Sequence, residues 1–179
     1  KLSVQTSDQH FFALFTERML RSGIGASHFG YGMCPPDARP IATVERAIGE
    51  VVHEALKESD NLNAEAMLFH LAATSGKPYA KASDGVIRID SLLVSIHHTY
   101  GEKGTRVPPH KIVDGSGLSG YNMVSARLLL SVLRYAHSQP HIYDILTDAL
   151  PHSGTDGTLK GRMGNKTMRG RIIAKTGSM

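Results

Sequence analysis

Apolar residues recur at three- and four-residue spacing along most of the chain, separated by short polar or glycine-containing breaks. Phe11, Phe15 and Met19 repeat every fourth residue and predict a helix over 8–21, which Asp8 can cap and Gly23 can stop. Residues 23–42, rich in glycine and proline, read as a loop. A second helix is predicted over 43–57, with Val44, Ile48, Val51 and Ala55 on one face. A third, over 62–74, carries Ala66, Phe69 and Ala73 and is closed by Gly76. Ser59-Asp60-Asn61 separates the two. Residues 84–100 predict a fourth helix, with Val86, Ile89, Leu93 and Ile96 facing inward. Residues 106–113 read as extended and 114–117 as a turn. Asn122 is placed to cap a helix reaching His137, with Leu129, Val132, Leu133 and Ala136 on its apolar side. A shorter helical piece follows over 140–150. After a glycine-rich loop, residues 170–179 read as a strand centred on Ile172-Ile173.

This inventory has many amphipathic helices and one convincing strand. A lone strand cannot satisfy its backbone groups or form a sheet. Its partners are therefore expected outside this chain, or in some unconventional pairing.

Composition narrows the class. The chain has 179 residues, 41% hydrophobic and 20% charged, enough for one globular domain with a core. No apolar run approaches the ~20 residues of a membrane-spanning helix, so no stable membrane insertion is expected. The opening residues Lys1-Leu2-Ser3-Val4 carry no signal-peptide-like stretch. The single cysteine, Cys34, can form no internal disulfide and reads as a small packing residue. Net charge is +4, unevenly spread: from Gly157 onward stand Lys160, Arg162, Lys166, Arg169, Arg171 and Lys175 with no acidic residue. A basic end attracts anions, whether phosphate, nucleic acid or a carboxylate, although a charge run by itself is also what an ordinary solvated surface looks like.

Neither metal nor phosphate chemistry finds its pattern. His53-Glu54 lacks the second histidine of a helical zinc motif, because position 57 is Lys57. His97 and His98 are neighbours that point apart on a helix, and Pro140 separates His137 from His141. The stretch Gly161-Arg162-Met163-Gly164-Asn165-Lys166-Thr167 has Asn165 where a phosphate loop needs glycine, and no strand precedes it. No metal and no cofactor are expected.

Two tripeptides carry the candidate chemistry. If Ser59-Asp60-Asn61 breaks the helix, Ser59 and Asn61 can face one cleft with Asp60 turned away; the plain alternative is a capping cluster. In an extended Lys175-Thr176-Gly177, Lys175 and Gly177 share one side and Thr176 the other, and the absent Cβ of Gly177 lets a ligand backbone approach. Each motif is weak alone. In this order, 116 positions apart, S-D-N and K-T-G resemble two of the three active-site motifs of serine β-lactamases and penicillin-binding proteins. Asp114-Gly115-Ser116-Gly117-Leu118-Ser119 followed by Tyr121-Asn122, and Gly157-Thr158-Leu159-Lys160 ahead of Ala174-Lys175-Thr176-Gly177-Ser178, sharpen the match. They resemble the low-molecular-mass class C penicillin-binding proteins, the D-Ala-D-Ala carboxypeptidases of peptidase family S13. The context Lys57-Glu58-Ser59-Asp60-Asn61-Leu62 fits as well.

The resemblance implies an α+β fold, helices packed against an antiparallel sheet as in β-lactamases and transpeptidases. The chain is expected to be a truncated, mostly helical part of it, with residues 1–179 one partial transpeptidase domain. The third motif, S-x-x-K, supplies the nucleophile, and no serine here has a lysine three residues later. It is expected upstream, and further strands downstream, in the remainder of the parent polypeptide. The isolated chain is accordingly expected to be inactive. By the same resemblance the substrate is the peptidoglycan stem peptide ending in D-Ala-D-Ala, β-lactams are the inhibitors, and the location is periplasmic or otherwise extracytoplasmic. Ser59 would relay a proton, Asn61 would hold the substrate amide, and Lys175 would supply positive charge. Thr176 would bind the terminal carboxylate, Gly177 would lie beside the extended substrate, and the Ser178 N–H would serve the oxyanion. Two alternatives stand beside this: a serine β-lactamase-like hydrolase, and a non-catalytic basic module. The absence of aromatic residues from Gly157 onward speaks against a stacking platform for single-stranded nucleic acid, and no nucleic-acid partner is expected.

Overall fold

A computed structural model describes residues 6–25 and 30–177. They divide into two compact units, Lys1–Val44 and Glu45–Met179.

The first unit contains α1 (Ser7–Arg21), close to the predicted span. Asp8 does not cap it. Thr6 holds the capping position, while Asp8 sits in the first turn and accepts a hydrogen bond from the Tyr31 phenol. Phe11 stacks on Phe15 at 5.9 Å, and Phe12 meets Tyr31 edge-on at 5.7 Å. α1 has no buried residue, so its apolar repeat of Phe11, Phe15 and Met19 is not packed into a core.

The second unit contains α2 (Ile48–Lys57), α3 (Asn61–Ala73), α4 (Ala82–Tyr100), α5 (Ala126–Ser138) and α6 (Pro140–Ala149), followed by a 3-10 turn at Gly157–Leu159. α2 packs on α3 and α6, α3 on α4, α4 on α5 and α5 on α6, closing a ring. Ala55, Leu68, Ala72, Ile96, Leu128, Ala136, Ala149 and Leu159 form the buried core. α3 and α4 come together at Gly85, where a Cβ would stand 2.5 Å from the Leu68 carbonyl oxygen. His97, also buried, lies 3.4 Å from the Ser131 hydroxyl and 3.3 Å from that of Thr105. Among the described residues no helix is long and apolar enough to cross a membrane.

Several sequence expectations shift. α2 starts at Ile48 rather than at 43, and Val44 is exposed. On α3 the expected face of Ala66, Phe69 and Ala73 points outward, while Leu68 and Ala72 are buried. α3 is apolar on nearly every side, so periodicity could not select its inner face; contact with Gly85 does. On α5, Leu128, Ser131 and Ala136 face in, while Leu129 and Leu133 stay 52% and 54% exposed. α5 is capped by Ser125, whose hydroxyl accepts the Leu128 N–H at 3.2 Å. Asn122 instead fastens the preceding loop. Its side chain donates to Asp114 at 2.9 Å and accepts the Val113 N–H at 2.8 Å.

The antiparallel sheet implied by the resemblance is absent among the described residues. Two isolated antiparallel bridges stand in its place, Lys111 with Met123 and His152 with Ile173. The second comes from the segment predicted as a strand. Its pairing is confined to residues 151–153, through Ser153 N–H to Ile172 O at 2.9 Å, Gly170 N–H to Ser153 O at 2.7 Å and Ala174 N–H to Pro151 O at 3.1 Å. A partner that short ends the ladder at one bridge.

Candidate active site

α2 is amphipathic and ends at Lys57, with Glu58 as its C-cap. Ser59 then turns into the left-handed region, φ +56°, which breaks the helical path. Asp60 caps α3, its carboxylate accepting the Asn63 N–H at 2.8 Å, and Asn61 is the first residue of α3. The break and the capping cluster are thus one structure: Asp60 turns back to serve the helix, and Ser59 is left to project.

The other half comes from residues 170–177. Burial alternates along it, with Thr176 half-buried and Lys175 and Gly177 exposed, as the extended reading requires. Its anchor is Ser153, fully buried, whose hydroxyl donates to Met168 O at 2.5 Å and accepts the Ile172 N–H at 3.2 Å. Held there, the Lys175 ammonium donates to the Ser59 hydroxyl at 2.8 Å and to the Thr176 carbonyl at 2.7 Å. Partial desolvation lowers the Lys175 pKa from the usual lysine range. The Thr176 hydroxyl pairs with that of Thr158 at 2.7 Å.

Ser59 and Lys175, 116 positions apart in sequence, are therefore in contact. Asn61 lies two residues from Ser59, half-buried, and its side chain bonds neither partner. Ser178 lies outside the described residues. Residues without a role in the sequence analysis stand close by. Lys57 is buried, with an ammonium that donates to Leu150 O at 2.8 Å and to Asp156 at 3.2 Å. The Asp156 carboxylate is held below the usual range first by the His152 N–H and then, against some desolvation, by Lys57. A lysine in the last turn of a helix ordinarily reads as a solvated dipole partner, so only the fold reveals its burial.

The D-G-S-G-L-S loop is tied to α3 through Glu65, which accepts the Ser116 N–H at 3.0 Å. Burial alone would raise the Asp114 pKa. Hydrogen bonds from Asn122, Ser119 and Gly117 outweigh it and hold the carboxyl below the usual range. This loop braces α3, with Gly115 seated against Ala64 and Leu68. A cleft of about 570 Å³ beside α2 is lined by Arg46, Glu50, His53, Glu54 and Asp148, and includes neither Ser59 nor Lys175. Among the described residues no group of three or more His, Cys, Asp or Glu side chains is placed to hold a metal ion.

The fold of the described residues is shared with penicillin-binding proteins. Two solved structures of penicillin binding protein 4 (dacB) from Haemophilus influenzae, one complexed with a beta-lactam, match with TM-scores of 0.80 and 0.76 at 26% and 27% identity. They cover 99% of this chain and 40% and 38% of those chains. The chain belongs to the D-Ala-D-Ala carboxypeptidase 3 (S13) family, whose sequence profile matches residues 1–179. D-alanyl-D-alanine carboxypeptidase DacB of Haemophilus influenzae is 30% identical over 139 residues, 76% of this chain and 27% of its own length. Carboxypeptidase DacB of Mycolicibacterium smegmatis is 30% identical over 177 residues, 93% of this chain and 36% of its own. Penicillin-sensitive carboxypeptidase A of Dictyostelium discoideum is 28% identical, over 96% of this chain and 32% of its own. The chain spans about a third of the length of these curated relatives.

Proposed function

We propose that this chain is part of a serine D-Ala-D-Ala carboxypeptidase that acts on peptidoglycan stem peptides through an acyl-enzyme, outside the cytoplasmic membrane. It contributes the S-D-N and K-T-G motifs. The observation that carries the reading is the 2.8 Å contact between the Lys175 ammonium and the Ser59 hydroxyl.

In this reading a serine in the remainder of the parent polypeptide attacks the penultimate D-Ala carbonyl, and a lysine one helical turn after it takes the proton. The Ser59 hydroxyl both donates and accepts, so it passes that proton to the nitrogen of the departing D-Ala as the C–N bond breaks. Water then cleaves the ester and frees the serine. Lys175 holds positive charge beside the relay and favours the neutral, basic form of the upstream lysine. It also draws in the terminal carboxylate, which the Thr176 hydroxyl binds. Asn61 holds the substrate amide, the edge at Gly177 pairs with the extended peptide, and the Ser178 N–H is one of two oxyanion donors.

The test is stoichiometric labelling with a fluorescent penicillin. The full-length parent takes up one label per molecule; the isolated 179-residue chain takes up none. An unlabelled parent, or a labelled isolated chain, overturns the reading. In the parent, Ser59→Ala is expected to slow acylation by about 100-fold or more, the range of a proton-transfer contribution, while barely moving the melting temperature. An unchanged acylation rate overturns the relay.

A further inference from the structure

Lys57 is 7% exposed, and a lysine is buried so far only with partners. Its ammonium ties the end of α2, two residues before Ser59, to the segment that leaves α6, through Leu150 O at 2.8 Å and Asp156 at 3.2 Å. The other Asp156 oxygen accepts the His152 N–H at 2.8 Å. The next residue, Gly157, is seated on Lys57 itself: a Cβ there would fall 2.5 Å from the Lys57 carbonyl oxygen and 3.0 Å from its Cδ. Thr158 follows, and its hydroxyl meets that of Thr176 at 2.7 Å. Leu159, buried, closes the turn by accepting the Gly154 N–H at 3.0 Å. Every link between Lys57 and Thr176 is thus a short covalent step or a direct contact.

We propose that Lys57 is a positioning residue for the K-T-G segment: through Asp156 and Thr158 it sets where the Thr176 hydroxyl stands relative to Ser59, and so how the carboxylate of the acyl donor is held. The proposal rests on the reading of Thr176 as the carboxylate ligand. A threonine hydroxyl has one proton and two lone pairs. Without ligand, Thr176 donates to Thr158. When a carboxylate arrives, Thr176 turns its proton to it, and Thr158 donates its own to the lone pair left free. The pair keeps Thr176 aimed in both states, provided Thr158 is held in place, which Lys57 and Asp156 do.

The test compares acylation of the full-length parent by benzylpenicillin and by its methyl ester, which lacks the free carboxylate. In Lys57→Met and Thr158→Val the preference for the free acid is expected to fall about tenfold, the factor that follows from losing one well-aimed hydrogen bond. It falls less in Asp156→Asn, which keeps the Lys57 bond to Leu150 O, and Thr158→Ser restores it. A rate loss that spares the preference marks a merely structural role and overturns the proposal. If Lys57→Met does not fold, an unchanged preference in both Asp156→Asn and Thr158→Val overturns it equally. A wild-type parent that reacts with neither compound, or equally with both, overturns the reading of Thr176 and this proposal with it. A wild type that prefers the acid, with variants that keep the preference, overturns the role of Lys57 alone.

Discussion

Ser59 occupies a backbone conformation, φ +56°, that disfavours an L-residue by about 1–2 kcal/mol. Glycine would adopt it without strain, yet glycine has no hydroxyl for Lys175. Ser59→Gly in the full-length parent should therefore separate stability from activity. Relief of strain and the greater freedom of glycine in the unfolded chain nearly cancel, leaving stability within about 1 kcal/mol by denaturant titration. Acylation should fall as steeply as in Ser59→Ala, and a retained rate would remove the hydroxyl from the mechanism. The carboxylates of Asp114 and Asp156 add a pH signature. Both are held below the ordinary aspartate range by hydrogen bonds in the fold. Their contribution is complete above the unfolded value of about 3.9 and drains away as pH falls through the lower folded values. Asp114→Asn should flatten that acid limb in a pH series of melting temperatures.

At the scale of elements, the site depends on how α3 is seated. Gly85 of α4 is the contact, where a Cβ would stand 2.5 Å from Leu68 O and 2.9 Å from Leu68 Cδ1. Gly85→Ala sets two effects against each other. Alanine favours the helix by about 1 kcal/mol. Overpacking against a backbone oxygen opposes it by about 1–3 kcal/mol, and a backbone atom cannot step aside as a side chain can. Net destabilisation is expected, read as a lowered denaturation midpoint; a raised midpoint would show that α4 moves freely. Which helices exist was legible from spacing alone, α4 nearly to its ends and with its inner face of Val86, Ile89, Leu93 and Ile96 half-buried or buried as read. The inner face of α3 was not, because α3 is apolar around much of its circumference and a neighbouring helix makes the choice; α5 is amphipathic, yet of its expected face only Ala136 is buried while Leu129 and Leu133 stay exposed.

Across the whole molecule, large apolar side chains remain uncovered on several elements, among them Phe69, Leu92, Leu129 and Leu133. Contiguous exposed apolar surface favours association. Sedimentation of the isolated chain should show concentration-dependent self-association that Leu129→Lys with Leu133→Lys reduces; a monomer at all concentrations would speak against it. The amino-acid sequence determined the elements, the interruption at Ser59-Asp60-Asn61 and the order and type of the two motifs, since spacing, caps and breakers act over a few residues. The contact between Ser59 and Lys175 was an inference from the company these motifs keep. Tertiary structure alone decided that the last extended segment pairs with residues 151–153, that Lys57 is drawn inside, and that Thr158 stands against Thr176. Those choices join positions far apart along the chain, and burial of a charge is set by which partners the fold brings to it.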